Sequence, residues 1–169
     1  FHQWGFEIIG DNDSVYDAAI IFVSLEILKA LKFKNLNLKI NSIGCRVCRP
    51  NYRQKLKDFY RAHKSKLCAD CERRYEKNPL RLLDCKEPGC VELKAQAPQM
   101  IERLCEACKT HFKSVLEFLD EGQIPYLLDN YLVRGFDYYG RTVFEIFLEE
   151  PASPASGAEN KKTDAGPEI

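Results

Sequence analysis

The chain has 169 residues, of which 45% are hydrophobic and 30% charged, the composition of an ordinary globular protein. Its 25 basic and 25 acidic residues cancel, but eight of the basic residues and only one acid fall within residues 45–66. The longest apolar run, residues 18–23, is too short to cross a bilayer, and the start shows no secretory signal. We therefore expect no membrane association and a cytoplasmic location, and because the sequence opens on Phe1 in a strand-like pattern, we expect an internal fragment.

The first third of the chain predicts a strand, a helix and a second strand. Polar and apolar side chains alternate over residues 1–9, the period of a β-strand. Asp13 or Ser14 can cap a helix whose apolar positions recur at helical spacing to about Leu31. Residues 36–40 alternate again and predict the second strand.

The middle of the chain predicts helices. Cysteines and basic residues cluster from residue 45, and the strand pattern stops. Pro50 can open a helix that runs toward Leu67. Pro98 can open an amphipathic helix that ends near Gly122, which can serve as its C-terminal cap.

The last part of the chain predicts two further strands, over residues 124–128 and 137–148. Residues 151–169 hold only one large apolar residue, so we expect a disordered tail or loop. The order of elements indicates an α+β fold, in which an antiparallel sheet with a flanking helix is interrupted by a mainly helical insertion. The predicted parts are a first core segment (1–44), a cysteine-rich helical insertion (45–123), a second core segment (124–150) and the tail (151–169).

Eight cysteines form four close pairs. Without an export signal a disulfide framework is not expected, which leaves metal binding or plain burial. The nineteen residues between Cys48 and Cys68 fit the spacing of a four-cysteine zinc site, and eight cysteines permit two such sites, whose pairing the spacing leaves open. A redox role is disfavoured because no βαβ pattern surrounds the pairs. The candidate zinc ligands are Cys45, Cys48, Cys68, Cys71, Cys85, Cys90, Cys105 and Cys108.

Two segments carry groups suited to a small ligand. On the first predicted strand, Gln3 and Glu7 share a face with Gly5 between them, leaving a notch that an amine or an imidazole N–H could enter; the alternative is a solvent-facing sheet surface. Near the end of the chain, Arg134 precedes a glycine, and adjacent tyrosines follow at residues 138 and 139. The alternatives there are a surface salt bridge and ordinary strand packing.

These residues resemble those of histidyl-tRNA synthetases, which are class II aminoacyl-tRNA synthetases. FHQ followed by Gly and Glu at residues 1–7 resembles the end of motif 2, and LVRGFDYY with RTVFE at residues 132–145 resembles the histidine-specific motif. LKINSIG at residues 38–44 and NPLRLLD at residues 78–84 resemble two further family segments.

The resemblance implies a role for each matching residue. Gln3 would contact the substrate histidine, and Glu7 would accept a hydrogen bond from it. Arg134 would act in catalysis beside the histidine carboxylate and the α-phosphate of ATP. Tyr138 and Tyr139 would line the pocket, with the Tyr139 hydroxyl reading the imidazole. The implied activity is formation of histidyl-adenylate from histidine and ATP with Mg²⁺, followed by transfer to tRNA(His) by a homodimer.

The family also gives the basic stretch a context, because its insertion leans on the acceptor end of the tRNA. Lys and Arg contacts to phosphate give affinity without reading sequence, and the alternative is a solvated helix face. The chain departs from the family at two positions, where Phe136 replaces the usual leucine and Ala19 replaces an expected glutamate. Motifs 1 and 3 and the anticodon-binding domain are missing from the sequence, so we expect the chain alone to be inactive. The candidate tRNA contacts are Arg46, Arg49, Arg53, Lys57 and Arg61.

Two rival functions remain open at this point. The first is the regulatory subunit of ATP phosphoribosyltransferase, a non-catalytic relative on the same fold that would be expected to lack the arginine–tyrosine motif and the insertion. The second is a zinc-stabilised RNA-binding module without enzymatic activity, which would not require the glutamine, glutamate, arginine and tyrosines to occur together.

Overall fold

A computed structural model describes residues 2–3, 5–135 and 138–148. The predicted tail, Phe136 and the other residues outside these ranges lie beyond the described part of the chain. Three short 3₁₀ turns connect the helices of the middle region. The helices and strands are α1 (Ser14–Ala30), β1 (Leu36–Ser42), α2 (Arg49–Ala62), α3 (Ala69–Lys77), α4 (Pro88–Lys94), α5 (Glu106–Glu121), β2 (Leu127–Leu128) and β3 (Thr142–Leu148).

Helix α1 begins where its capping signal predicts. The Asp13 carboxylate accepts a hydrogen bond from the Val15 N–H at 3.0 Å, which satisfies one of the donors left unpaired in the first turn. The helix buries Ala18, Ile21 and Leu25. Ala18 and Leu25 are among its predicted apolar positions, and Ile21 lies next to them. The predicted helix is therefore confirmed at its start and ends within a residue of Leu31.

The sheet has three strands in the order β2–β1–β3. Strands β1 and β3 pair antiparallel over their full length, from Leu36 opposite Leu148 to Ser42 opposite Thr142. Strand β2 is only two residues long and lies parallel to β1, with Lys39 opposite Leu127. The antiparallel pairing is confirmed for β3 alone. Strand β2 runs parallel because the chain reaches it through α5, the kind of helical crossover that parallel strands need.

The strand predicted over residues 1–9 is wrong for the residues that the structure describes. Residues 2–3 and 5–9 have no regular secondary structure and are exposed. Both edges of β1 are taken by β2 and β3, and the described residues of this segment pair with none of the three strands. Alternating side chains predict a strand only where a neighbouring backbone completes the hydrogen bonds.

The start of α5 is also corrected. The predicted helix from Pro98 begins at Glu106, because the backbone at Leu104 and Cys105 is extended. Its end at Gly122 is confirmed. A glycine is required there by close packing and not by a left-handed backbone, because its φ is −76° and a Cβ atom would lie 2.1 Å from Cζ of Phe22 on α1. The left-handed conformation falls on the next residue, Gln123.

Two main apolar clusters form the core. One lies among α2, α3, α4 and their connections, and it includes Tyr52, Leu56 and Tyr60 from α2. The other joins α1, β1 and α5 through residues such as Ile21, Ile40 and Val115. Helix α5 therefore packs mainly with the sheet and α1, although the sequence division groups it with the insertion. No helix among the described residues is long and apolar enough to span a membrane.

We predict that Gly122→Ala destabilises the fold, because the added methyl group must displace the Phe22 ring. Overpacking of this kind costs about 1–3 kcal/mol. The matched control is Gly89→Ala in α4, where the nearest atom to the added Cβ lies at 3.9 Å, so stability should stay equal or rise slightly. Urea denaturation of the purified protein measures both. Equal midpoints for the two variants would contradict the packing argument.

Candidate functional site

The eight cysteines converge into two groups of four. The first sulfur site consists of Cys45, Cys48, Cys105 and Cys108, and the second sulfur site consists of Cys68, Cys71, Cys85 and Cys90. Within each group all four Sγ atoms lie within 4.8 Å of one another, and every cysteine is a free thiol. The first pair in the sequence thus joins the last pair, and the two middle pairs join each other. The first and second cysteine pairs, whose separation between Cys48 and Cys68 fits a zinc site, therefore belong to different sites.

Both groups have the dimensions of a tetrahedral metal site. In the first site Cys45 Sγ lies 3.7 Å from Cys48 Sγ and 3.8 Å from Cys105 Sγ. In the second site Cys68 Sγ lies 3.8 Å from Cys85 Sγ. Four sulfurs bonded to one zinc ion at about 2.3 Å lie about 3.8 Å apart, whereas a disulfide brings two sulfurs to about 2.05 Å. Either group could therefore hold one metal ion.

Backbone amides and burial act on these thiols in opposite directions. Backbone N–H groups of Cys48 and Val47 lower the pKa of Cys45 to about 6, and the N–H of Cys71 lowers the pKa of Cys68. Burial raises the pKa of Cys108 to about 12 and also raises that of Cys71. Each site thus pairs an easily deprotonated sulfur with a buried one. A divalent cation would offset the cost of charging the buried member.

Arg134 lies on the segment that leads into β3 and forms an ion pair with Glu145 on that strand. Both side chains are about one third exposed, 39% for the arginine and 33% for the glutamate, so the pair is accessible to a ligand. The carboxylate orients the guanidinium, which has five N–H donors in all. The structure therefore joins two residues of the LVRGFDYY and RTVFE stretches.

The two adjacent tyrosines lie side by side. The ring centroids of Tyr138 and Tyr139 are 4.8 Å apart, whereas in an extended strand the two side chains would point to opposite faces. The pKa of Tyr138 is raised by its hydrogen bond with Tyr139, and the negative charge of Glu7 contributes to the same shift. Glu7 and Gln3 are both exposed and lie in the same irregular segment.

A cleft of about 330 Å³ lies between the start of α2 and the tyrosine segment. Its size is in the range of pockets that take small ligands. Three guanidinium groups and two phenol groups line it, which favours a ligand that carries an anionic group. The sequence did not single out Asn12 and Arg141, although the RTVFE stretch contains the arginine. The lining residues are Asn12, Cys45, Arg46, Arg49, Tyr138, Tyr139, Gly140 and Arg141.

Arg141 connects the irregular N-terminal segment to the sheet. Its guanidinium donates to the carbonyl of Asn12 at 3.0 Å, and its backbone N–H donates to the carbonyl of Gly44 at 2.9 Å. Its φ of 57° is in the left-handed region, where a non-glycine residue is uncommon and worth notice. This residue therefore forms one wall of the cleft and ties that wall to the end of β1.

Four of the five basic residues of α2 recur every four positions and lie along one face of the helix, namely Arg49, Arg53, Lys57 and Arg61. Their environments differ. Arg53 donates to the Lys77 carbonyl at 3.3 Å, and the Lys57 ammonium lies 3.4 Å from Glu76. Arg61 is exposed and pairs with Asp58 at 3.6 Å. Arg49 is half-buried, and its guanidinium donates to the carbonyls of Gly44 and Tyr139. The stripe therefore runs from the cleft to open solvent, and Arg46 lies on the cleft.

Comparison with known proteins identifies close relatives. The chain is 46% identical to a histidine–tRNA ligase of Desulforamulus reducens over 156 residues, covering 92% of this chain and 37% of the relative. It is 46% identical to a histidine–tRNA ligase of Nitratidesulfovibrio vulgaris over 165 residues, covering 97% of this chain and 40% of the relative. No protein-family model matches the chain.

A solved structure supports the same relationship. Apo histidyl-tRNA synthetase of S. aureus superimposes with a TM-score of 0.62 at 31% identity, covering 81% of this chain and 32% of that one. The resemblance drawn from the motifs and the predicted α+β fold are both confirmed. The chain spans about two fifths of the length of the curated relatives that it matches.

Proposed function

Because this chain is homologous to histidyl-tRNA synthetases over 92% of its length, we propose that it carries the histidine-binding part of a histidine–tRNA ligase. The whole enzyme would activate histidine with ATP and Mg²⁺, transfer it to tRNA(His), and act in the cytoplasm as a homodimer. The observation that carries this proposal is the cationic cleft that Tyr138 and Tyr139 line. The chain covers 37% of the relative's length, so we infer that it does not aminoacylate alone.

Histidine activation requires a carboxylate to attack the α-phosphorus of ATP, which brings two anions together. Such a step needs positive charge and positioning more than proton transfer. We assign this role to Arg134. Its ion pair with Glu145 fixes the direction of the guanidinium, and a guanidinium keeps its charge and binds oxygens in pairs. Its partial exposure leaves an approach for the substrate.

The imidazole would be read by groups that can hydrogen-bond both ring nitrogens. We assign Glu7 as an acceptor for one N–H and the Tyr139 hydroxyl as the group that reads the ring, with Tyr138 as a wall and Gln3 contacting the amino-acid end. The effect of Glu7 on the pKa of Tyr138 supports this grouping. A pocket built on such bonds can reject amino acids that lack an imidazole by large factors.

We predict that Arg134→Ala in the full-length enzyme lowers histidine-dependent ATP–pyrophosphate exchange by about 10²–10³-fold, the usual loss on removing one donor that stabilises developing charge. Arg134→Lys keeps the charge but loses the paired geometry, so it should recover only part of the rate. The matched control is Arg73→Ala, an exposed arginine of α3 paired with Asp70, for which exchange should be unchanged. Near-normal exchange by folded Arg134→Ala would remove the assignment.

We further infer that the basic face of α2 contacts tRNA phosphates through Arg53, Lys57 and Arg61, together with Arg46 in the turn before the helix. Each of these four side chains is exposed or half-buried. Lys57 pairs with Glu76, and Arg61 pairs with Asp58. Because exposed ion pairs contribute little to stability, both side chains can exchange these carboxylates for phosphates.

Charge reversal at Arg53, Lys57 and Arg61 should weaken tRNA binding and flatten its salt dependence by roughly 0.7–0.9 in slope for each phosphate that is no longer neutralised. Filter binding or fluorescence titration at several salt concentrations measures both quantities. The matched control reverses Lys109 and Lys113, two exposed lysines of α5 with similar glutamate partners. If the α2 variant and this control bind tRNA alike, the α2 stripe is only a solvated face.

We also propose that each sulfur site holds one structural Zn²⁺. The separations of 3.7–3.9 Å between sulfurs support a tetrahedral ion, and the first site draws its ligands from two segments 60 residues apart in sequence. An ion held in this way contributes its binding free energy to folding.

Protein purified under reducing conditions should contain two zinc ions per chain, as measured by elemental analysis. Thiol titration should find the eight cysteines unreactive before chelation and reactive after it, with a lower melting temperature. Metal-free protein with an unchanged melting temperature would rule out structural zinc.

A further inference from the structure

The first sulfur site and the cleft share a wall. Cys45 is a member of the sulfur site and also lines the cleft beside the tyrosine segment. It follows Gly44, just beyond the end of β1. The second sulfur site shares no residue with the cleft. The two sites are thus alike in chemistry but different in location.

Arg49 links the sulfur-bearing turn to the tyrosine segment. It follows Cys48 directly, and its backbone N–H donates to the Cys45 carbonyl at 3.0 Å. Its guanidinium donates to the Gly44 carbonyl at 3.0 Å and to the Tyr139 carbonyl. The turn that carries two sulfurs therefore sets the backbone position of the arginine that holds the tyrosine backbone.

The turn is packed tightly against its surroundings. Gly44 has a φ of +67°, and a Cβ atom there would lie 2.6 Å from Cys48 Sγ and 2.1 Å from Met100 Cε. Its carbonyl accepts hydrogen bonds from both Arg49 and the Arg141 backbone, so the two walls of the cleft meet at one oxygen. A small displacement of this turn would move both walls.

The other two sulfurs come from the start of α5. Cys105 occupies the N-cap position of this helix, and Cys108 lies in its first turn. Further along, α5 packs on α1 and β1 through Val115 and Leu119. An ion in the first site would therefore fasten the Cys45–Cys48 turn to a helix that is itself anchored on the sheet.

We propose that a metal ion in the first sulfur site positions Arg49, and through it the Tyr139 backbone, so that histidine binding depends on the first site and not on the second. This inference rests on the proposed histidine-binding function of the cleft. Arg49 is then a positioning residue and not a tRNA contact, because its donors are directed at backbone carbonyls on both sides of the cleft.

The test compares Cys105→Ser with Cys85→Ser in the full-length enzyme. Both positions lie outside the cleft, one in each sulfur site. Native mass spectrometry should show that each variant loses one zinc ion, and both should melt at a lower temperature. In tRNA-free pyrophosphate exchange, Cys105→Ser should raise KM for histidine about ten-fold, in line with losses from disturbed supporting shells, and leave KM for ATP nearly unchanged. Cys85→Ser should leave both KM values within about two-fold.

Arg49→Ala tests the link without removing an ion. It should keep both zinc ions and raise KM for histidine as Cys105→Ser does, with Arg49→Lys intermediate. Because exchange needs no tRNA, such a rise cannot come from weakened tRNA binding. Equal KM changes in the two cysteine variants, an unchanged KM in Arg49→Ala, or wild-type protein that binds no metal would each overturn the inference.

Failure of the proposed function has a different signature, namely wild-type enzyme that shows no histidine-dependent exchange. Hydrogen–deuterium exchange then still decides the structural link. Amides within residues 138–148 should lose protection in Cys105→Ser and Arg49→Ala but not in Cys85→Ser, because the Arg141 N–H bonds to Gly44 at the affected turn. If all three variants show the same protection, the structural link between the first sulfur site and the tyrosine segment is wrong, whatever the activity of the enzyme.

Discussion

The ladder between β1 and β3 is the constraint on which the rest of the structure depends. It pairs residues 36–42 with residues 142–148 and so closes a loop that contains every helix of the described residues except α1. Closing a loop costs entropy, but the cost grows slowly with length, by about 0.6 kcal/mol for each doubling. A long insertion is therefore tolerated provided that its two ends return to adjacent strands. The first sulfur site lies close to the two ends of this loop. Cys45 follows the end of β1, and Cys105 lies at the start of α5, the helix that leads back to the sheet.

The helical part of the loop has a small core of its own, and the cysteines are among its buried members. Five of the eight are buried, and the other three are half-buried. Small cores rarely supply enough apolar burial to stabilise a domain alone, and metal ions are a common supplement. Four sulfurs within 4.8 Å of one another would otherwise be a poor way to fill a core, because thiols make weak hydrogen bonds and their charged forms repel.

Signals between residues close in sequence predicted the features that short-range interactions determine, such as helix caps and strand alternation. The cap of α1 at Asp13 and the strand at β1 follow from a capping residue and from alternation, and the family resemblance followed from short motifs. The end of α5 at Gly122 was predicted from a local cap signal, but the glycine is required by a long-range contact with Phe22. The segment at residues 1–9 failed because alternation does not reveal whether a neighbouring strand is available. The grouping of cysteines and the extended backbone at Cys105 depend on how the insertion folds back on itself, which spacing along the chain does not encode. Predictions for residues outside the described ranges stay predictions.

Arg49 shows how periodicity and environment can assign different roles to similar residues. It shares a helical face with Arg53, Lys57 and Arg61, so sequence alone places all four in one basic stripe. Arg49 lines the cleft and is half-buried, as are Arg53 and Lys57, whereas Arg61 near the other end of the helix is exposed. A guanidinium that is bonded to carbonyls on two segments keeps its charge next to the cleft while it holds those segments together. The same residue type is therefore bonded to backbone carbonyls at one end of the helix and exposed to solvent at the other.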